Sequence, residues 1–322
     1  MSAAGDVVAV LVNYNGGAGL ARCVASLRAS DFGARPIVVV DNASRDGSGE
    51  ALLRAEAARP ASGARPVLEL LVQPLNRGFA AGANLGLRRA AELGATELLL
   101  LNPDTEVERA FLAPLRAALA DGAALAGPKL LLPGEPPRIW SAGGALTWGR
   151  NLALLTGHGE PDRGQHDTAR DVSFLAGTCW LLRRDWFERL GAFDEAFFCY
   201  VEDVDFCARA TRAGARLAYA PRSRVVHEGS AASGGGYTPL RKYLSARNAF
   251  HLLRKHGSAA RWLRFLVGDV LTLPLALGYA TLVGRPGAAL WKARGLLDGW
   301  RGRAFDGARR AELLPRDAGA AR

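Results

Sequence analysis

Four short apolar runs, each followed by a stretch of different spacing, organise the first hundred residues. Val7–Val12 (VVAVLV) is continuous and rich in β-branched residues, and Gly17–Ala29 then has helical spacing. Ile37–Val40 (IVVV) predicts a second strand followed by a helix through Leu52–Ala58, and Val67–Val72 a third followed by the helix Ala80–Leu93. Leu98–Leu101 is the fourth. Strands that are apolar on both sides and separated by helices predict an α/β fold, with a mostly parallel sheet covered on both faces. Ligands of such sheets bind beyond the carboxyl ends of the strands. Every predicted strand here ends in polar or small residues: Asn13-Tyr14-Asn15, Asp41-Asn42, Gln73 through Gly78, and Asn102-Pro103-Asp104. One such end is ordinary turn chemistry; four in series predict one shared crevice.

Residues 131–170 are rich in Gly, Pro and Trp and poorly periodic, which predicts a loop-rich insertion. From Val172 a strand-like run returns (FLAGTCWLLRR), then a helix start at Arg184-Asp185, the block FDEAFFCYVEDVDFCARATRAG, and the strand-like SRVVHEGS. Tyr237–His256 reads as a basic helix. Phe265–Val283 is apolar for 19 residues but is interrupted by Asp269 and Pro274, and Trp291–Phe305 is a short amphipathic stretch. The expected organisation is a body over 1–230, with halves meeting near residue 130, and a helical region over 231–322.

Charge sharpens that division. Residues 1–228 hold 25 basic and 26 acidic side chains, whereas 229–322 hold 16 and 5, a net of +11. A near-neutral body with a cationic tail points to an anionic partner for the tail, membrane or nucleic acid. The N-terminal run lacks a basic leader and is too short to span a bilayer, so no secretory signal is expected. The four cysteines (Cys23, Cys179, Cys199, Cys207) lack metal-site or framework spacing and are expected to be reduced thiols.

Several residues could carry chemistry. Ser44 and Asp46 suit a helix N-cap, but Asp41 comes too early to cap and stands where a carboxylate can accept hydrogen bonds from a base or ribose. NRGFAAGANLGL (Asn76–Leu87) puts small residues at a helix start, where a phosphate can approach; tight helix–sheet packing at Gly82 and Gly86 is the bland alternative. No GxGxxG follows the first strand, which argues against a dinucleotide-binding dehydrogenase. Asp104 at the end of a buried strand suits a hard divalent cation shared with substrate phosphates. Glu202, Asp203 and Asp205 could simply complement a helix dipole; their aromatic surroundings also suit a general base. His227 closes a strand-like run and, with a cation site nearby, reads as a ligand.

Together VNYNG, VVVDNASRDGS, NRGFAAGANLG, LLLLNPDTEV, GAFDEAFFCYVEDVDFCARATRAG and VVHEGS resemble the inverting glycosyltransferases of family 2, from about Val7 to Ser230. The resemblance implies a GT-A fold, a Rossmann-like nucleotide-binding half plus an acceptor half, with a C-terminal helical extension. It places Asn13, Tyr14, Asn15, Asp41 and Asn42 at the nucleotide base and ribose. Asn76, Gly78, Phe79 and Asn84 fall near the ribose and diphosphate. Asn102 and Asp104 stand in for the family's DxD-type motif, with Asn102 replacing its first aspartate. Asp104 and His227 would bind Mg²⁺ or Mn²⁺. Asp203 matches the catalytic base, with Glu202 second, and Gly177, Thr178, Trp180 and Tyr200 would touch the acceptor. The motifs look most like bacterial rhamnosyltransferases using dTDP-rhamnose in cell-surface polysaccharide assembly; UDP-sugar users share most of them.

The tail, on this reading, lies on an anionic membrane surface at the cytoplasmic face, where a glycan or polyprenyl-diphosphate-linked acceptor is found. Packing on the body or in a homo-oligomer is the alternative. Nucleic acid is not expected, because aromatics do not interleave the basic residues. A sugar nucleotidyltransferase would carry a Gly-rich, Arg/Lys-containing loop after the first strand. VNYNGGAGLARC has only the late Arg22. A non-catalytic sugar-nucleotide-binding protein would have no need of Asp41, Asp104 and Asp203 together.

Overall fold

The computed structural model describes residues 7–59, 67–148, 151–229, 238–282 and 286–313. They fall into two compact units, one holding 7–147, 151–193 and 203–229, the other Trp148, 194–202 and 238–313. Residues 194–202 thus group with the C-terminal helices rather than with the body around them.

The first unit begins with β1 (Val7–Asn13), α1 (Gly17–Ala29), β2 (Ile37–Asp41), α2 (Ser48–Ala57), β3 (Leu68–Val72), α3 (Phe79–Glu92) and β4 (Glu97–Leu101). These strands pair in parallel in the order β3-β2-β1-β4. The chain steps outward from β1 to β2 and β3 and then crosses back to place β4 on the other side of β1, so the strand order reverses between β1 and β4, the kind of switch point at which open α/β sheets bind ligands. β1 is buried throughout, as its continuous apolar run requires of a strand covered on both faces.

The sheet continues through β5 (Thr105–Val107), α4 (Leu112–Ala120), β6 (Leu125–Leu132), β7 (Arg138–Ser141) and β10 (Arg170–Val172) to β11 (Cys179–Arg183), α5 (Arg184–Leu190), α6 (Glu202–Arg212) and β12 (Leu217–His227). Its full order is β10-β12-β6-β11-β4-β1-β2-β3, with β5 added to β12 and β7 to β6. β11 runs antiparallel between β4 and β6, which makes the sheet mixed. The antiparallel direction brings the start of β11 to the edge where β4 ends, Cys179 opposite Leu101.

The insertion is better ordered than its composition suggests. It forms β7, the hairpin of β8 (Gly144–Leu146) with β9 (Ala153–Leu155), and β10. Lys129, fully buried in the apolar run of β6, pairs with Asp162 at 3.1 Å and with Asp167, and Arg224 reaches Asp162 at 3.0 Å. Burial alone would raise the Asp162 pKa; Lys129 and the Gly164 N–H outweigh it and hold the carboxyl below its ordinary range.

Gly82 and Gly86 serve packing. A β-carbon on Gly86 would stand 2.3 Å from Val10 Cγ1 and 3.1 Å from Val40 Cγ2, and one on Gly82 2.8 Å from Val12 Cγ1. Helix α3 therefore lies directly on β1 and β2. Gly86→Ala is expected to destabilise the protein by about 1–3 kcal/mol through overpacking. A urea melt measures this, and an unchanged midpoint would contradict the contact.

The second unit contains α7 (Pro239–His256), α8 (Ala259–Phe265), a π-helical stretch Leu266–Val270, α9 (Leu273–Leu282), α10 (Pro286–Trp300) and α11 (Gly307–Leu313). Thr238 caps α7, with Pro239 at the first helical position, where its missing N–H costs nothing. α7 and α10 meet at Gly295 and Gly299, where added β-carbons would lie 2.3 Å from Tyr243 O and 2.8 Å from Arg247 O. The Tyr243 hydroxyl donates to Asp298 at 2.7 Å, and Arg309 Nε donates to the same carboxylate at 3.0 Å. The apolar run 265–283 is therefore three segments, and residue 283 lies outside the described residues. No helix among the described residues is long and apolar enough to cross a membrane.

Candidate active site

The carboxyl edge of the sheet collects most of the predicted residues. Asn13 ends β1 opposite Asp41, the last residue of β2. Its side chain is fully buried, and Nδ2 donates toward Asp41 Oδ2 (2.8 Å), Ser44 Oγ (3.0 Å) and Ser48 Oγ (2.8 Å). Asn13 thus braces Asp41. Asp41 Oδ1 accepts the Ser44 N–H at 2.7 Å. A carboxylate has about four lone-pair sites, so these bonds orient Asp41 and leave acceptor capacity for a ligand donor.

Ser44, read above as a cap, is a hub: its Oγ also accepts the Asn15 N–H at 3.0 Å. Asn15 Oδ1 in turn accepts the Arg45 N–H at 2.8 Å. Asn15 is exposed, with φ of 52°, and Tyr14 is half-buried beside it. Asp46 takes the Ser48 N–H and hydroxyl and the Gly17 N–H, joining the starts of α1 and α2. Burial raises its pKa, but these donors prevail and lower it.

Asn42 is buried and braces the next loop. It donates to Asn76 Oδ1 and Gly78 O, both at 3.0 Å, and accepts the Arg77 N–H. Gly78 has φ of 92°, a conformation that strains any other residue, and delivers the chain into α3. Phe79 follows, half-buried, its ring edge-on to Phe193. Asn84, placed by the resemblance near ribose and diphosphate, instead ties the Phe193 backbone at both ends of its amide, each bond 2.8 Å.

Asp104 and His227 do meet. β5 pairs antiparallel with the end of β12, Thr105 opposite His227, and this brings Asp104 Oδ2 to 3.3 Å from His227 Nε2. Trp140 stands edge-on to the imidazole at 5.0 Å between centroids. Arg22 on α1 bonds Glu106 and Glu228, tying that helix to both strands. No group of three or more His, Cys, Asp or Glu able to hold a metal occurs among the described residues. A carboxylate–imidazole pair fits a divalent cation that takes the rest of its shell from substrate phosphates and water. His227 Nδ1 is buried with no partner among the described residues.

The predicted base lies on the same edge. Asn102 N–H donates to Thr178 O at 2.9 Å, joining the Asn102-Pro103-Asp104 turn to the entry of β11. One residue earlier, Gly177 N–H donates to Asp203 Oδ2 at 3.1 Å, while Asp203 Oδ1 accepts the Val204 N–H at 2.8 Å. Any β-carbon at 177 would crowd that of Asp203, at 3.3 Å. Asp205 is structural. Fully buried, it pairs with Arg209, whose guanidinium caps the carbonyls of Leu190, Gly191 and Ala192.

Two acceptor expectations change. Trp180 is a core residue, 1% exposed and packed on Phe193 and Phe206 with Nε1 donating to Leu175 O, so it cannot touch an acceptor. Thr178 is likewise buried. In the second unit, Phe198, Tyr200 and Val201 all have positive φ, between 63° and 74°, just before buried Glu202. Asn248 on α7 donates to the carbonyls of Phe197, Cys199 and Tyr200, and Arg247 to Ala196 O. Sequence reading missed this brace. A fully buried asparagine inside a basic helix was its one signal. The four cysteines are free thiols; burial pushes that of Cys23 up to about 12.

A strand-order reversal with carboxylates along its edge is where an open α/β sheet takes a ligand, and comparison with known proteins gives the chain a family. The family model for glycosyl transferase family 2 matches residues 8–191. The chain belongs to that family. Its mixed α/β sheet with C-terminal helices is a GT-A-like fold. It is similar to the low-salt glycan biosynthesis hexosyltransferase Agl10 of Haloferax volcanii, 26% identical over 177 residues, 54% of this chain and 56% of that protein. It is also similar to the N-acetylglucosaminyl-diphospho-decaprenol L-rhamnosyltransferase of Mycobacterium tuberculosis, 27% identical over 255 residues, 71% of this chain and 78% of that one. Among solved structures, the mannosyltransferase PcManGT of Pyrobaculum calidifontis, in complex with GDP-Man and Mn²⁺, matches with a TM-score of 0.55 at 19% identity. That match covers 98% of this chain and 80% of the other. The chain spans little more than half the length of the Haloferax relative.

Proposed function

We propose that the chain transfers rhamnose from dTDP-rhamnose to a hydroxyl of a glycan or polyprenyl-diphosphate-linked glycan, inverting the anomeric carbon in one displacement. The observation that carries this reading is the gathering of Asp41, the Asp104–His227 pair and Asp203 along one sheet edge, each oriented by its own bonds. The rhamnosyltransferase named among its relatives favours the sugar.

Asp41, fixed by Asn13 and Ser44, receives donors of the base and ribose, and the start of α3 faces the diphosphate, the Arg77 and Gly78 N–H groups before it being taken by Asn42 and Asn76. Asp104 and His227 hold Mg²⁺ or Mn²⁺; such an ion, when bound, neutralises charge developing on the departing diphosphate. Asp203 takes the proton of the acceptor hydroxyl as its oxygen attacks the anomeric carbon opposite the diphosphate, and the bond to the diphosphate breaks. The N–H groups of Gly177 and Val204 set the orientation of that carboxylate, and water delivered in place of an acceptor would give only hydrolysis.

The test is binding and hydrolysis across a panel of dTDP-, UDP- and GDP-sugars, with Mg²⁺ or Mn²⁺ present and then chelated. Metal-dependent binding of dTDP-rhamnose above the others is expected. Preference for a UDP-sugar would move the donor and keep the mechanism. Binding of no sugar nucleotide would end the reading.

A further inference from the structure

We propose that the helical unit carries a docking face for an anionic lipid surface, formed by the exposed side of the segment from α8 to α9. Leu263, Val267, Leu271 and Leu275 follow one another at steps of four and are 51–76% exposed, with Leu266 and Leu282 also exposed. Steps of four put side chains on one side of a helical run. Elsewhere among the described residues, exposed large aliphatics such as Leu53 and Leu154 stand apart from one another. Scattered residues of that kind need no explanation, whereas a contiguous apolar face marks an interaction site.

The charges choose the occupant. Asp269 is the acid that interrupts the apolar run, and it is turned away from this face. It is 7% exposed and accepts a hydrogen bond from Lys292 on α10 at 2.6 Å. Of the other described acids of the region, Asp298 is buried, and Asp306 and Glu312 are exposed but bonded. Asp298 takes Tyr243 and Arg309, Asp306 takes the Arg309 N–H, and Glu312 takes Arg294 and Arg309. Arg264, by contrast, is exposed within the aliphatic stripe and has no acidic partner among the described residues. Helix α10 repeats the pattern, exposing Leu290, Leu297 and Trp300 beside Arg294. Aliphatics and Trp on one face with arginines beside them suit a helix lying in a headgroup boundary. The excess of 16 basic over 5 acidic residues in 229–322 favours an anionic surface over a protein partner of ordinary charge.

The experiment is flotation of the full chain with vesicles of phosphatidylcholine alone and with added phosphatidylglycerol. Binding to the anionic vesicles only, weakening as salt rises, is expected. Arg264→Glu should weaken it by roughly fivefold or more, since one cation near an anionic leaflet is worth about that factor. Val267→Asp with Leu271→Asp should abolish it, and because both side chains are exposed the melting temperature should hold. Binding unchanged by these substitutions would overturn the proposal. So would failure to float with either vesicle, including the case in which the same substitutions convert a dimer to monomers and so reveal a second copy as the occupant.

Discussion

Asp203→Asn is expected to lower kcat by roughly 10²–10⁴-fold, the usual contribution of a positioned general base, and to leave the KM for the nucleotide sugar nearly unchanged. The amide keeps one oxygen, enough for the Gly177 N–H at 3.1 Å but not also for the Val204 N–H at 2.8 Å, so a small loss of melting temperature should accompany the kinetic effect. What is lost is the ability to take a proton from the acceptor. Steady-state kinetics with a glycan acceptor, alongside calorimetric donor binding, separate the two quantities. Equal loss of donor affinity and turnover would show that Asp203 is structural. Unchanged turnover would pass the role of base to Glu202.

Asp104→Ala is expected to remove the metal dependence of donor binding. With one carboxylate and one imidazole in the protein's share of the shell, its loss should weaken metal affinity by more than the roughly 10–100-fold that removal of an outer-shell partner costs. His227→Ala should have the same sign and a smaller size, because it removes a neutral ligand and leaves the charge. Titrating Mn²⁺ into each variant with a nucleotide sugar present, and following the bound fraction, orders them. Two variants that bind Mn²⁺ like the wild type would place the cation elsewhere.

The first half of the fold was legible because parallel strands buried on both faces advertise themselves as unbroken apolar runs. Val7–Val12 and Ile37–Val40 each lie within one residue of the strands they predict. The insertion was less legible, since what orders it is one lysine inside LAGPKLLL meeting two aspartates more than thirty positions later. Site residues divide by the same reasoning. Asp41, Asp104 and Asp203 could be picked out because a carboxylate at a strand or helix end has few bland uses. Asn13, Asn42 and Asn84 share the motifs yet act as internal braces, a distinction that depends on burial. Trp180 shows the limit most plainly: alternation along β11 fixes that successive side chains oppose one another, but not which set meets Phe206. The Asp104–His227 contact depends on β5, three residues long and too short to leave a periodic trace.

That short strand also has a consequence for how the protein is made. During synthesis strands β1 to β4 emerge first, and their pairings with one another need nothing beyond residue 101, although β4 later gains β11 as its second neighbour. Residue 104 meets residue 227 only when β12 has been laid down and β5 has closed against it. A ribosome-bound chain therefore passes through a stage in which Asn13 and Asp41 can already stand opposite one another but Asp104 has no imidazole beside it. The Asp104–His227 contact is thus the last feature of this edge to be completed, because it waits for the last strand of the sheet to be synthesised.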